Sequence, residues 1–411
     1  MIMHLAGGTR FRRGRRRALG ACLAIMVVAP LAACGAGDAE TVDSAGLAGT
    51  PITIGVLANV SGITGAPEAG AAKVFEAWAA DVNATGGIGG HPVQVLTKDT
   101  KGDAPTAAAA ADELINDETV VAVVALSTST DHVVGQTLAD SGLPVVGGVG
   151  YNPVVWGKLK NWFGITTSFP EVVNMQVASA KAVDAKTLSV VACAEDPACE
   201  SAIPLFEAAS KTAGTTFTGT VKVAANAPNF TAECLEVMRR KADFVQMSIS
   251  PSVGSRVASD CQTQGYTGYF GASATAVMAD LYDTPDIRLA GALNTFPWWV
   301  DDAPVTHFRD VMKARHVDEK MWAQPAATGA WATGELFKKA LSGAVGEPSA
   351  DVTRETVLTA YGKVSNETVG GLLPQPMTFH AGQPGPAVKC YWLYHFEKGE
   401  FSGTLKPSCP Q

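Results

Sequence analysis

Four short segments collect the hydroxyls, amides and glycines that can hold a small polar molecule. They are Asn59-Val60-Ser61-Gly62, Ser127-Thr128-Ser129-Thr130, Gly147-Gly148-Val149-Gly150-Tyr151 and Ser250-Pro251-Ser252. Free backbone N–H groups at a helix start favour an acceptor or an anion, so the chemistry on offer is hydrogen bonding. Thr130 has a second reading, as the N-cap of a helix opening at Asp131, and capping and binding are compatible on different residues of the loop. Bond-breaking chemistry finds little support. Neither Gly-x-Ser-x-Gly nor His-Glu-x-x-His occurs, and His91, His132, His307, His316, His380 and His395 are not spaced as a metal pair. A hydroxyl–imidazole pair is conceivable only at His132, beside the second segment. The expectation is no catalytic residue, no cofactor and no metal. Trp298 and Trp299, after Asn294-Thr295-Phe296-Pro297, and Tyr151 and Trp156 supply flat apolar area. Stacking on a ligand and packing between elements both account for them.

Those loops need strands that end beside them. Ile52-Thr53-Ile54-Gly55-Val56-Leu57 is a β-rich run before the first loop. Residues 68–83 place Val74, Phe75, Trp78 and Val82 on one helical face. Gly86-Gly87-Ile88-Gly89-Gly90 follows that helix and precedes a strand at 93–96. This is the reverse of the strand–loop–helix order that cradles phosphate, so it reads as a helix-ending turn. A helix at 107–116 leads to Val120-Val121-Ala122-Val123-Val124, an unbroken apolar run expected of a parallel strand buried on both faces. A helix at 131–141 and a strand at 143–146 follow. The alternation then restarts, with strands at 188–192, 220–223 and 244–249 and helices at 200–213, 231–241 and 252–264. Helices at 306–314 and 327–341 and a late strand at 390–396 complete it. The alternation predicts an α/β protein with two doubly wound parallel-sheet lobes. Ligands of such sheets bind beyond the carboxyl ends of the strands, where the four loops fall.

The amino end reads as an address. Arg10, Arg12, Arg13, Arg15, Arg16 and Arg17 precede an apolar run from Ala18 to Leu31. That run is shorter than the about 20 residues of a membrane span and suits a secretory leader. Leu31-Ala32-Ala33-Cys34-Gly35 looks like a bacterial lipobox, which makes Cys34 the expected lipid-bearing first residue. Residues 1–33 are then a signal peptide, and 34–50, rich in Gly, Ala, Asp, Ser and Thr, a flexible tether. Without the leader, 25 basic residues face 39 acidic ones, a net charge of −14. Such a chain repels nucleic acid and anionic headgroups, so the lipid is what would hold it at the outer face of the cell membrane. An apolar fraction of 47% fills a core, and about 360 folded residues exceed one core and predict two domains. Cys22 leaves with the leader. Cys193, Cys199, Cys234, Cys261, Cys390 and Cys409 remain, an even set that reads as disulfides in an exported chain. Several pairings are open, and proximity in sequence favours Cys193–Cys199, Cys234–Cys261 and Cys390–Cys409.

Asn83-Ala84-Thr85-Gly86-Gly87-Ile88-Gly89-Gly90-His91-Pro92-Val93 resembles the segment Asn-Ala-x-Gly-Gly-Ile-x-Gly-x-x-Val of type I periplasmic binding proteins, the leucine/isoleucine/valine-binding branch above all. Asp99, Glu113-Leu114-Ile115, the Val120 strand, Asn229-Phe230, Lys241-Ala242-Asp243, Gly265-Tyr266 and Met377-Thr378-Phe379 follow in that family's order, over roughly residues 51–400. The resemblance implies two lobes joined by three crossovers and closing on a solute, lobe 1 being 51–165 with 297–350 and lobe 2 being 166–296 with 351–411. It implies a monomeric binding component that hands its solute to an ABC permease; a sensor presenting ligand to a signalling receptor needs the same lobes. Asn59, Ser127, Thr128, Ser129, Thr130, Gly148, Tyr151, Ser250 and Ser252 are the expected contacts, with Trp298 or Trp299 at the border. Two departures bear on the ligand. Amino-acid binders of this kind put a hydroxyl residue in the third loop, where Gly148, Val149 and Gly150 stand, and an acid in the fourth, where Ile249 to Ser255 has none. A buried ammonium without a counter-charge costs several kcal/mol. A carboxylate, amide or aromatic compound is therefore expected ahead of a standard branched-chain amino acid.

Overall fold

The computed structural model describes residues 46–410 apart from 63, 151, 153, 195–199 and 273–276. The leader 1–33 and Cys34 lie outside the described residues, as do Tyr151 and Cys199. Five parallel strands make the first sheet: β1 (Ile52–Ala58), β2 (Val93–Asp99), β3 (Val120–Ala125), β4 (Val145–Val146) and β5 (Trp162–Phe163), in the order β2-β1-β3-β4-β5. Every residue of β1 and β3 is buried, as central strands covered on both faces require. The helices α1 (Ala66–Ala84), α2 (Ala104–Asn116) and α3 (Asp131–Ser141) connect them. Val74, Phe75, Trp78 and Val82 form the buried face of α1, each 0% exposed, and a large apolar side chain so buried contributes about 1.5–3 kcal/mol. Asp103 caps α2 by accepting from the Thr106 N–H.

The second sheet holds β6 (Thr187–Cys193), β7 (Thr216–Val223), β8 (Phe244–Ser248), β9 (Tyr269–Ala272), β10 (Leu289–Leu293), β11 (Trp392–Glu397) and β12 (Glu400–Gly403), in the order β12-β11-β10-β9-β8-β6-β7. β6 to β10 are parallel, and β11 and β12 close one side as an antiparallel hairpin. Helices α4 (Phe169–Ala182), α5 (Ile203–Ala213), α6 (Thr231–Arg239) and α7 (Pro251–Thr263) serve this sheet. Two mostly parallel α/β lobes result, as the alternation predicts. No described helix is long and apolar enough to cross a membrane.

The chain passes between the sheets three times: after β5, after β10, and between Phe379 and β11. The crossings are pinned by short polar bonds. The Thr166 hydroxyl donates to the Gly150 carbonyl at 2.5 Å, and that of Thr167 to the Val388 carbonyl at 2.5 Å. Thr295 meets the Thr328 hydroxyl at 2.8 Å. After the second crossing, α8 (Ala303–Ala314) and α9 (Pro325–Ser342) pack on α1. Gly334 lets α9 approach, since a Cβ there would enter the Trp78 ring, and Trp78 Nε1 donates to Glu335 at 2.9 Å. The sequence reading assigns 351–411 to lobe 2, but α10 (Arg354–Tyr361) also packs on the first sheet. Arg354 donates to the Val120, Ile115 and Asp117 carbonyls, and Tyr361 stacks on Phe163 at 4.8 Å. The apolar side of β5 needs that cover. Cys234–Cys261 ties α6 to α7 and Cys390–Cys409 clips the tail, with Cα separations of 4.9 and 4.2 Å. Both are pairs of sequence neighbours. Cys193 is disulfide-bonded, and its expected partner Cys199 lies outside the described residues.

Candidate ligand-binding site

The polar loops of the first lobe are organised by two carboxylates. Glu68, in the first turn of α1 and 6% exposed, accepts from the Asn59 N–H at 2.7 Å, the Thr128 N–H at 2.9 Å and the Thr128 hydroxyl at 3.0 Å. It thereby joins the loop after β1 to the loop after β3. Burial raises its pKa, against the pull of the Asn59 and Thr128 donors. Asp99, at the end of β2, accepts from the Val60 N–H at 2.9 Å, the Lys101 N–H at 2.9 Å and the Ser61 hydroxyl at 2.5 Å. Burial works to raise its pKa, but the donors, Ser61 foremost, hold it below the usual carboxylate range. Asn59 itself is buried and accepts from the Gly62 N–H at 2.9 Å.

In the second loop Ser127 is buried, its hydroxyl 2.9 Å from that of Thr100 and accepting from that of Thr130 at 2.8 Å. Thr130 holds the N-cap position of α3 without a side-chain capping bond, because its hydroxyl is turned to Ser127. Thr128 is half-buried and Ser129 exposed.

The third loop is glycine for steric reasons. Gly148 has φ +103°, and a Cβ on it would strike the Ala125 carbonyl. Its N–H donates to the Thr333 hydroxyl of α9 at 3.2 Å. A Cβ on Gly150 would strike Trp156 Nε1 and lie 2.6 Å from Asp131 Oδ2. Those two atoms form a buried 2.6 Å hydrogen bond that fastens α3 to the chain after β4. Asp131 is 1% exposed, and burial pushes its carboxyl up to about 6 against donation from Trp156.

In the second lobe, Ser250 is the N-cap residue of α7, with its hydroxyl 3.5 Å from that of the exposed Ser252 and Pro251 between them. Arg256 of α7 lies over the Phe230 ring at 5.0 Å and donates to the Ala225 and Ala227 carbonyls. Trp298 and Trp299 lie in an aromatic cluster under the β11–β12 hairpin. Trp298 is 5% exposed and 5.2 Å from Phe401, while Trp299 stacks on Phe401 at 4.4 Å and meets Tyr394 edge-on at 5.8 Å. Of the two readings open for these rings, packing is the one with partners in place. Among the described residues, no three His, Cys, Asp or Glu side chains gather as a metal would need.

The structure thus brings Asn59, Ser127, Thr128 and Thr130 into one bonded group, sets Gly148 and Gly150 against α3 and α9, and puts Ser250 and Ser252 at the corresponding edge of the other sheet. Glu68, Asp131, Thr166 and Thr333 escape the sequence reading. Glu68 and Asp131 are acids in first helical turns and look like ordinary dipole partners, and nothing local marks Thr166 or Thr333.

Two strand-edge sites on two α/β lobes joined by three crossovers define a bilobed solute-binding protein. The chain belongs to the periplasmic binding protein family, whose model matches residues 51–400. Solved structures share the fold at low identity. The leucine-binding protein LivK of Thermotoga maritima is 17% identical with a TM-score of 0.68, over 87% of this chain and 99% of that one. A branched-chain amino acid ABC transporter protein of Thermus thermophilus with bound valine is 12% identical with a TM-score of 0.75, over 88% and 97%. A fatty acid ABC transporter substrate-binding protein of Thermomonospora curvata is 16% identical with a TM-score of 0.71, over 88% and 93%. No curated protein matches the sequence.

Proposed function

We propose that this protein is an extracytoplasmic solute-binding lipoprotein, anchored through Cys34, that captures a small solute between its lobes as a monomer and passes it to an ABC permease. The observation that carries the reading is the shared position of the polar loops at the carboxyl ends of strands: 59–62 after β1, 127–130 after β3, 147–150 after β4 and 250–252 after β8. The proposed contacts are Ser129 and the loop backbone on one side and Ser250 or Ser252 on the other. Glu68 and Asp99 fix the first-lobe loops in advance, which lowers the cost of ordering them on binding.

A thermal-shift screen of amines, amides, amino acids and carboxylates tests the capture step, since a ligand at 100 times its Kd adds about 2.7 kcal/mol of stability. Ser129→Ala lowers affinity by roughly 0.5–1.5 kcal/mol for a neutral partner and leaves the ligand-free melt unchanged. Mass spectrometry of the membrane fraction finds a lipid on Cys34. A ligand-bound structure with the 127–130 and 250–252 loops facing away from the solute ends the proposal.

A further inference from the structure

We infer that the first lobe selects a neutral or cationic solute group and disfavours a carboxylate, an inference that rests on the solute-capture reading above. Concavities of backbone N–H groups at strand ends bind anions, but here the protein fills them from within. Glu68 occupies the N–H groups of Asn59 and Thr128 and the Thr128 hydroxyl. Asp99 occupies the N–H groups of Val60 and Lys101 and the Ser61 hydroxyl, with a longer contact of 3.4 Å to the Ser61 N–H. The Ser127 hydroxyl is shared between Thr100 and Thr130. An incoming carboxylate must displace these bonds or do without them.

Charge points the same way. The charged groups of the described first-lobe loops are Glu68, Asp99 at the end of β2, Asp103 at the start of α2 and Asp131 at the start of α3, against Lys101 and the imidazole of His132. Lys101 is exposed, and His132 Nδ1 stands 4.0 Å from Asp131 Oδ1. Glu68 and Asp131 are 6% and 1% exposed, so water and salt screen them little. Asp131 Oδ1 is buried without a hydrogen-bond partner among the described residues. The described loop after β8 in the second lobe does not offset this. Residues 249–255 contain no charged side chain, and Arg256 is turned to Phe230 and two carbonyls. An amine that lacks a counter-charge in the fourth loop therefore finds several in the first lobe, whereas a carboxylate finds only the exposed Lys101 and the His132 imidazole beside Asp131.

The test uses matched sets sharing one skeleton, such as 4-methylpentanoate, its amide and the corresponding amine, and phenylacetate, phenylacetamide and phenethylamine. Binding is read by calorimetry on the mature protein near neutral pH. An amide or amine is expected to bind at least about tenfold more tightly than its carboxylate, a difference of about 1.4 kcal/mol. Glu68→Gln narrows that ratio, and so does Asp131→Asn if the first variant fails to fold. A carboxylate that binds as tightly as its amide overturns the inference and leaves solute capture standing. A panel with no binder in any set overturns both.

Discussion

Asp131→Asn should stabilise the protein at neutral pH, although it changes a buried, hydrogen-bonded residue. The folded-state carboxyl is raised from 3.8 to about 6 by burial, and its Oδ2 accepts from Trp156 at 2.6 Å. A raised carboxyl stabilises the fold below 3.8, and that contribution is lost as pH rises through about 6. At roughly 1.4 kcal/mol for each tenfold change in the proton equilibrium, charge burial costs about 3 kcal/mol above that range. The group is 1% exposed, so solvent screening removes little of it. Asparagine keeps the shape and an acceptor for Trp156, but its amide NH2 takes the place of Oδ1, unpartnered among the described residues, and costs about 1 kcal/mol or more as a buried donor. The net expectation is a gain of about 1–2 kcal/mol near neutral pH, shrinking to nothing or below near pH 4, where wild-type Asp131 is itself neutral. Urea melts of both proteins across that interval read the gap directly, with His132→Gln as the background that removes the neighbouring imidazole. A variant less stable than wild type near neutral pH, or a gap that does not change with pH, refutes the reasoning.

Gly150→Ala should cost about 1–3 kcal/mol in the same melts, because the new methyl enters the space of the Trp156–Asp131 bond. Reduction should lower stability by about 2–4 kcal/mol for each disulfide opened, and a Cys234→Ala/Cys261→Ala double variant isolates the bridge between α6 and α7. Leucine, isoleucine and valine should bind weakly or not at all in calorimetry, since their α-carboxylate meets first-lobe donors already engaged by Glu68 and Asp99 and 249–255 offers no acid beside the α-ammonium; sub-micromolar affinity for any of them contradicts this.

The elements most legible in the sequence are those whose surroundings are uniform. β3 is apolar at all positions because helices cover both its faces, and the helical spacing of Val74, Phe75, Trp78 and Val82 reports one buried side. β9 and β10 escape the reading because each carries a glycine that weakens the strand signal. Gly271 makes room for the Phe244 ring and Gly291 for the Tyr394 ring, needs that arise only once neighbouring strands are in place. β5 has two residues, too few for any period. In the site, the loops were visible as polar interruptions after apolar runs. Glu68 was not, because its role depends on the Asn59 loop and the Thr128 loop, the latter 60 residues beyond Glu68, meeting over one helix start. The glycines of the third loop looked like a missing hydroxyl, and the structure gives the positive reason for them in Ala125, Trp156 and Asp131.

The interleaving of the chain bears on how the protein folds. Trp78 lies 257 residues ahead of its partner Glu335, and β10 waits for β11, which begins at Trp392. A chain emerging amino end first can complete neither lobe until its last segments are free. Contacts this distant form slowly, because loop closure precedes any reward. The first lobe is therefore complete only once α9 has docked on α1, and the second only once β11 has paired with β10.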